Sequence, residues 1–127
     1  MDAPQTPGDW SYRAASGGGT ALFGERNGEA RFSMRCEAGA RTVILSRAGQ
    51  LQGAARMVVR TESQTRTLTA SSGNSTLPTV ETRLHASDRL LDAMALSKGR
   101  FAIEVPGTPT LYLPSWAEVT RVIEDCR

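Results

Sequence analysis

Cys36 and Cys126 are the only cysteines of this chain and His85 is its only histidine. Thiol chemistry, a disulfide or a histidine-centred base are therefore the first reactions to weigh. As a base His85 would need a nucleophile and an orienting carboxylate. The nearby Asp88 and Asp92 are better explained as first-turn and solvent-face residues of a helix. One histidine cannot supply a multi-His metal site, and the acids show no calcium-loop spacing, so no metal is expected. None of the carboxylates has the aromatic, apolar surroundings that would raise its pKa for glycoside hydrolysis. Gly17-Gly18-Gly19 precedes a strand-like stretch rather than a helix, which makes it a turn and not a phosphate cradle. Asn74-Ser75-Thr76 matches a glycosylation sequon within a Ser-rich loop, where a chance match is the plainer reading. Ser97-Lys98-Gly99 holds the only lysine, at a helix-to-strand junction. This makes Ser97, Lys98 and Gly99 the candidate partner-contact residues, although a Lys and a Gly closing a helix also fit a left-handed cap. No enzyme and no cofactor are expected.

The elements that position these residues are mostly strands. Trp10 and Tyr12 alternate with polar neighbours, Ala21-Leu22-Phe23 follows the glycine turn, and Arg26-Asn27-Gly28 reads as a hairpin turn because Asn-Gly tolerates positive φ. Phe32, Met34 and Cys36 then share one face of a strand, opposite Ser33 and Arg35. The continuous Val43-Ile44-Leu45 run predicts a central strand covered on both faces. Met57 to Val59 and Thr65 to Ala70 read as an antiparallel pair, 71–76 as a loop, and 79–84 as a further strand. Ser87 is placed to cap a helix bearing Leu90, Leu91 and Met94, which Gly99 ends. Phe101, Ile103 and Val105 alternate, and Leu111 to Leu113 gives a last strand. In the closing helix Ser115 and Glu118 form a capping box. Trp116, Val119, Val122 or Ile123, and Cys126 recur on one stripe. Cys36 and Cys126 therefore both face the core, and the expected bridge closes a loop of about 90 residues.

The expected fold is α+β: an antiparallel β-sandwich or curved sheet of about eight strands with two packed helices, the C-terminal one disulfide-tied to the sheet. Residues 1–8 read as a disordered Pro-rich tail and 9–127 as a single domain. The net charge of +2 is carried by arginines scattered through strands and helices alike, which argues against a nucleic-acid face. No apolar run reaches the roughly 20 residues of a membrane-spanning helix. The start, Met1 to Pro7, has neither a charged nor an apolar signal region. Either the protein is cytosolic or it is a mature form whose signal was removed near Ala3. The cysteine pair favours the second, and the Arg- and Ala-rich usage suggests a high-GC bacterial genome and hence the periplasm.

The Cys-bearing strand, Leu90-Leu91-Asp92-Ala93-Met94, Gly99-Arg100-Phe101-Ala102-Ile103 and Trp116-Ala117-Glu118-Val119 through Glu124-Asp125-Cys126 together resemble a family of small secreted proteins of alphaproteobacteria. More distantly the layout is similar to invasion-associated locus B proteins and to a type VI secretion accessory family with an Arg-Cys strand and a late Cys-bearing helix. The resemblance spans roughly residues 30–127, implies a periplasmic β-sandwich and carries over no catalytic residue. A second likeness joins Cys36-Glu37-Ala38-Gly39, Val43, Ser97-Lys98-Gly99 and a late cysteine to periplasmic inhibitors of C-type lysozyme. The chain departs from those at Met34, where they carry Tyr, and in its terminal helix. The expected function is binding, or assembly with a protein partner of the cell envelope. Lysozyme inhibition and carriage of a small hydrophobic ligand are the alternatives.

Overall fold

A computed structural model describes residues 3–127. The chain opens as a meander of β1 (Asp9–Arg13), β2 (Thr20–Gly24), β3 (Phe32–Glu37) and β4 (Thr42–Ala48). It crosses to a second sheet as the hairpin β5 (Arg56–Arg60) and β6 (Thr65–Thr69), then returns as β7 (Ser71–Ser72) and β8 (Thr79–His85). Helix α1 (Arg89–Ala95) leads to β9 (Arg100–Glu104) and β10 (Leu111–Pro114), and α2 (Ala117–Asp125) follows. The six-stranded sheet runs β1-β2-β3-β4-β8-β7 and the four-stranded sheet β10-β9-β5-β6, with antiparallel pairings throughout. This is the expected α+β class, with ten strands; the shortest, β7, lies in the stretch read as a loop.

Period-two alternation fills the space between the sheets. Phe32, Met34 and Cys36 of β3 and Phe101 and Ile103 of β9 are buried in one core, where Phe32 meets Phe101 across the sheets and Cys36 lies under α2. Trp10, Phe23, Phe32 and Phe101 form a chain of edge-on ring contacts, with centroids 5.4 to 6.5 Å apart, that joins the two sheets. The Trp10 indole N–H donates to the Pro114 carbonyl at 2.7 Å, so even this polar atom is satisfied. Ile44 points to the outer face yet is buried. Its cross-strand neighbours are Arg35 and Arg83, residue types whose aliphatic stems cover apolar surface. The expectation of a strand covered on both faces is met only in part: β4 is central in the sheet and Ile44 is buried, but Ser46 and Ala48 on the same outer face are half-buried and open to solvent.

Several local expectations are corrected. Met1 and Asp2 of the segment read as a disordered tail lie outside the described residues, but Thr6 is joined to β10: its amide donates to the Tyr112 carbonyl at 2.9 Å, the Tyr112 amide donates to Thr6 Oγ1 at 2.8 Å, and Thr6 is buried. Asp88, not Ser87, caps α1 by accepting from the Leu90 amide, because the Ser87 hydroxyl is engaged with His85. The helix ends at Ala95, and Gly99, at φ +77°, turns the chain into β9 instead. Ser115 does not cap α2. Its hydroxyl donates to the Met94 carbonyl and its amide to the Gly99 carbonyl, so it ties the start of α2 to the end of α1. Trp116 occupies the cap position, partly exposed, while Val119, Val122 and Ile123 form the buried stripe.

Candidate functional site

A broad concavity lies on the outer face of the six-stranded sheet. Cross-strand register aligns Leu22, Ser33, Ser46 and Glu81 in one row over β2, β3, β4 and β8. The small side chains of Ser33 and Ser46, with Ala30 and Ala48 beside them, leave a hollow between the taller Leu22 and a rim made by Leu77 and Pro78. Its volume is about 500 Å³, inside the range of about 300–1,000 Å³ usual for ligand pockets.

The rim is held in place. The Gly73 amide donates to the Thr79 carbonyl at 2.9 Å and the Gly49 amide to the Pro78 carbonyl at 3.0 Å, pinning both ends of the 73–78 loop. Within it the Ser75 hydroxyl donates to the Leu77 carbonyl at 2.7 Å. A Cβ at position 73 would stand 2.8 Å from the Glu81 carboxylate carbon, so glycine is what lets the loop lie down on that wall. Leu77 is left 52% exposed above the hollow. Leu77 is not isolated there: Leu22, Ile44 and Pro78 line the same hollow, so its exposed face belongs to an apolar patch, the kind of surface that marks contact sites.

Charge in the hollow is uneven. Arg35 stands at one end but is paired to Glu37 at 3.1 Å, and Arg83 reaches the same carboxylate at 2.8 Å. The Arg83 and Arg35 guanidiniums hold the Glu37 carboxyl below its ordinary value. Glu29 and Glu81 also line the hollow, and among the described residues neither has a cationic partner. Glu81 receives only a long contact of 3.5 Å from the Ser46 hydroxyl.

The residues singled out from sequence fall elsewhere. Cys36 and Cys126 form the expected disulfide, with Cα atoms 5.5 Å apart, joining β3 to the end of α2. The glycine turn closes over it. Gly18 has φ +126°, and a Cβ there would meet the Cys36 carbonyl and come within 2.7 Å of its sulfur. Beside it the Tyr12 hydroxyl donates to the Asp125 carboxylate, which raises the Tyr12 pKa, and the Arg121 guanidinium lies 3.9 Å above the Tyr12 ring. Ser97 is buried, accepting from the Glu62 amide at 3.0 Å and donating to the Arg100 carbonyl at 2.8 Å. It therefore belongs to the interior of the turn, leaving Lys98 and Gly99 at the surface.

The histidine constellation does not assemble. His85 Nδ1 accepts from the Ser87 amide at 3.1 Å and lies 2.8 Å from its hydroxyl, a local turn with no orienting carboxylate. Asp88 serves the α1 cap and pairs with Arg66 at 2.8 Å. Burial pushes its pKa up, but Arg66 and the Leu90 amide together bring it below the ordinary value. Asp92 forms a two-pronged pair with Arg127 at 2.7 and 3.0 Å, which lowers the Asp92 pKa and raises that of Arg127. Among the described residues no group of three or more His, Cys, Asp or Glu is placed to hold a metal ion, and no helix is long and apolar enough to cross a membrane.

One further polar side chain is unusual. Arg47 is buried at the end of β4, where its guanidinium donates to the carbonyls of Ala48 and Pro109 at 2.6 and 2.7 Å. Burial, with a smaller contribution from Arg31, pulls its pKa down to about 10. It closes one end of the sandwich and does not line the hollow. Comparison of the chain with protein-family models, with curated proteins and with solved structures gave no match.

Proposed function

We propose that this chain is a non-enzymatic binding module of the cell envelope that engages a protein partner through the outer hollow of its six-stranded sheet. The observation that carries the reading is the braced loop holding Leu77 exposed over a floor of Ser33 and Ser46. Specific contacts favour surfaces that are formed before the partner arrives, because less ordering entropy is lost on binding. The Cys36–Cys126 bridge supports placement in an oxidising compartment, where such bonds persist. Against catalysis stands the dispersal of the acids: Asp88, Asp92 and Glu37 are each committed to arginine pairs. The space between the sheets is filled by Phe23, Phe32, Phe101 and their neighbours, so a small-ligand carrier would have to use the same outer hollow.

Photo-crosslinking in the intact envelope tests this. A photoreactive residue at position 77 or 33 should trap a discrete protein adduct, one at Thr67 on the opposite sheet should not, and Leu77→Asp should abolish trapping at position 33. Equal trapping at positions 33, 67 and 77, or trapping at none, refutes the reading.

A further inference from the structure

We infer that the hollow on the six-stranded sheet takes a partner segment in which a lysine or arginine adjoins an apolar side chain. The inference rests on that hollow being the binding site. Three ionisable residues line it, Glu29, Glu81 and Arg35. Arg35 shares the single Glu37 carboxylate with Arg83, so that cluster keeps a net charge of about +1 at one end of the hollow. The two glutamates are not balanced by any cation among the described residues. Set against the residual positive charge beside Arg35, the two glutamates leave the hollow with a net charge of about −1, and Glu81 is where a counter-charge is locally lacking.

Each class of occupant meets that charge differently. A neutral apolar segment would cover Glu81, which is already half-buried, and strip its water without offering a counter-charge. Burial of an unpaired carboxylate is strongly disfavoured. An acidic segment would add like charge beside two carboxylates. A basic side chain satisfies both demands: its head supplies charge-assisted donors to Glu81, whose carboxylate receives, among the described residues, only the 3.5 Å hydrogen bond from Ser46. Its aliphatic stem lies against Pro78, the apolar wall on the Glu81 side of the hollow. The neighbouring apolar side chain of the same segment then meets Leu77, which is exposed and has room on its outer side. The floor of Ser33, Ser46 and Ala48 leaves depth for the stem, and Glu29, at the far end in the β2–β3 connection, extends the negative field along the line of approach.

The test uses the full chain, isotopically labelled, titrated with three acetylated and amidated pentapeptides that share a central leucine. Its flanking residues are both lysine, both glutamine or both glutamate. The lysine peptide should shift the backbone amide resonances of Leu22, Ser33, Ser46 and Leu77 in the millimolar range, about −4 kcal/mol, as befits one short segment. Glu81→Gln should weaken it about tenfold. Glu29→Gln, in an exposed connection where folding is not at risk, should weaken it by about threefold, and salt should do likewise. Glu124→Gln, on α2, should leave it unchanged. If the glutamine or glutamate peptide shifts the same resonances as strongly as the lysine peptide, the charge inference is overturned while the hollow stands as the binding site. If no peptide shifts them up to about 5 mM, weaker than about −3 kcal/mol, both are overturned.

Discussion

Removing the Cys36–Cys126 bridge is expected to lower stability by about 4.5 kcal/mol. The cysteines are separated by 90 positions, and fixing the ends of a loop of that length removes about 15 cal/mol/K from the unfolded chain in the loop-entropy treatment. Both sulfurs are buried and α2 keeps its own apolar stripe, Val119, Val122 and Ile123. The folded state therefore loses little besides the bond when both cysteines become alanine, and the effect falls mainly on the unfolded state. For a chain of 127 residues, an unfolding entropy of about 2.1 cal/mol/K per residue converts this to a fall in Tm of roughly 17 °C. The assay is urea unfolding of Cys36→Ala/Cys126→Ala beside the oxidised parent, followed by fluorescence. Trp10 is buried in the aromatic chain and Trp116 is partly exposed, so the core signal belongs to Trp10. The denaturant slope should also rise, since an untethered unfolded chain exposes more surface. A loss below about 1.5 kcal/mol with an unchanged slope would refute the entropic argument.

Three further outcomes are expected. Gly18→Ala should cost at least about 2 kcal/mol in chemical denaturation, from its φ of +126° and the collision with Cys36, whereas Gly17→Ala, with nothing within 4 Å, should stay within about 0.5 kcal/mol of the parent. Asp88→Ala should cost about 1–2 kcal/mol, and Asp88→Asn distinctly less, because asparagine still accepts from the Leu90 amide. The carboxyls of Glu37, Asp88 and Asp92 are held below their ordinary values of 4.5, 3.8 and 3.8. Their contribution is complete above those values and is lost as pH falls through the lower folded ones. Denaturation midpoints should therefore hold steady down to about pH 4.5 and drop below it, with a shallower drop in Glu37→Gln.

Strand positions were the readable part of this chain because alternation is a local property. Phe32, Met34 and Cys36 announce their common face, and the Val43-Ile44-Leu45 run announces a central strand, without knowledge of any partner. The bridge was readable for the same reason: two independent local patterns each placed a cysteine inward. Helix caps were less readable. Ser87 and Ser115 have the right chemistry, but each hydroxyl is taken by a neighbour brought close by the turn or the fold, His85 and Met94 respectively. The N-terminal segment looked like a tail because nothing in its own sequence shows that Thr6 meets Tyr112. The hollow was least readable. Its row of Leu22, Ser33, Ser46 and Glu81 exists only once the register of four strands is fixed. The available hints were Leu22 and Ile44 at outward positions and the apolar Leu77-Pro78 within a polar loop.

The longest-range contacts set an order of events during synthesis. Tyr12 bonds to Asp125, Thr6 to Tyr112, Trp10 to Pro114, Ala3 to Arg100 and Cys36 to Cys126. The earliest segments of the chain thus find their partners among the latest. A chain emerging N-terminus first can form the β1–β4 meander, but β9 and β10 and the closing helix arrive only at the end. Such a chain stays slack until those last elements are made. During that interval Cys36 waits as a free thiol. With a single other cysteine in the chain it has no wrong intramolecular partner, so the delay costs time and leaves the pairing unambiguous.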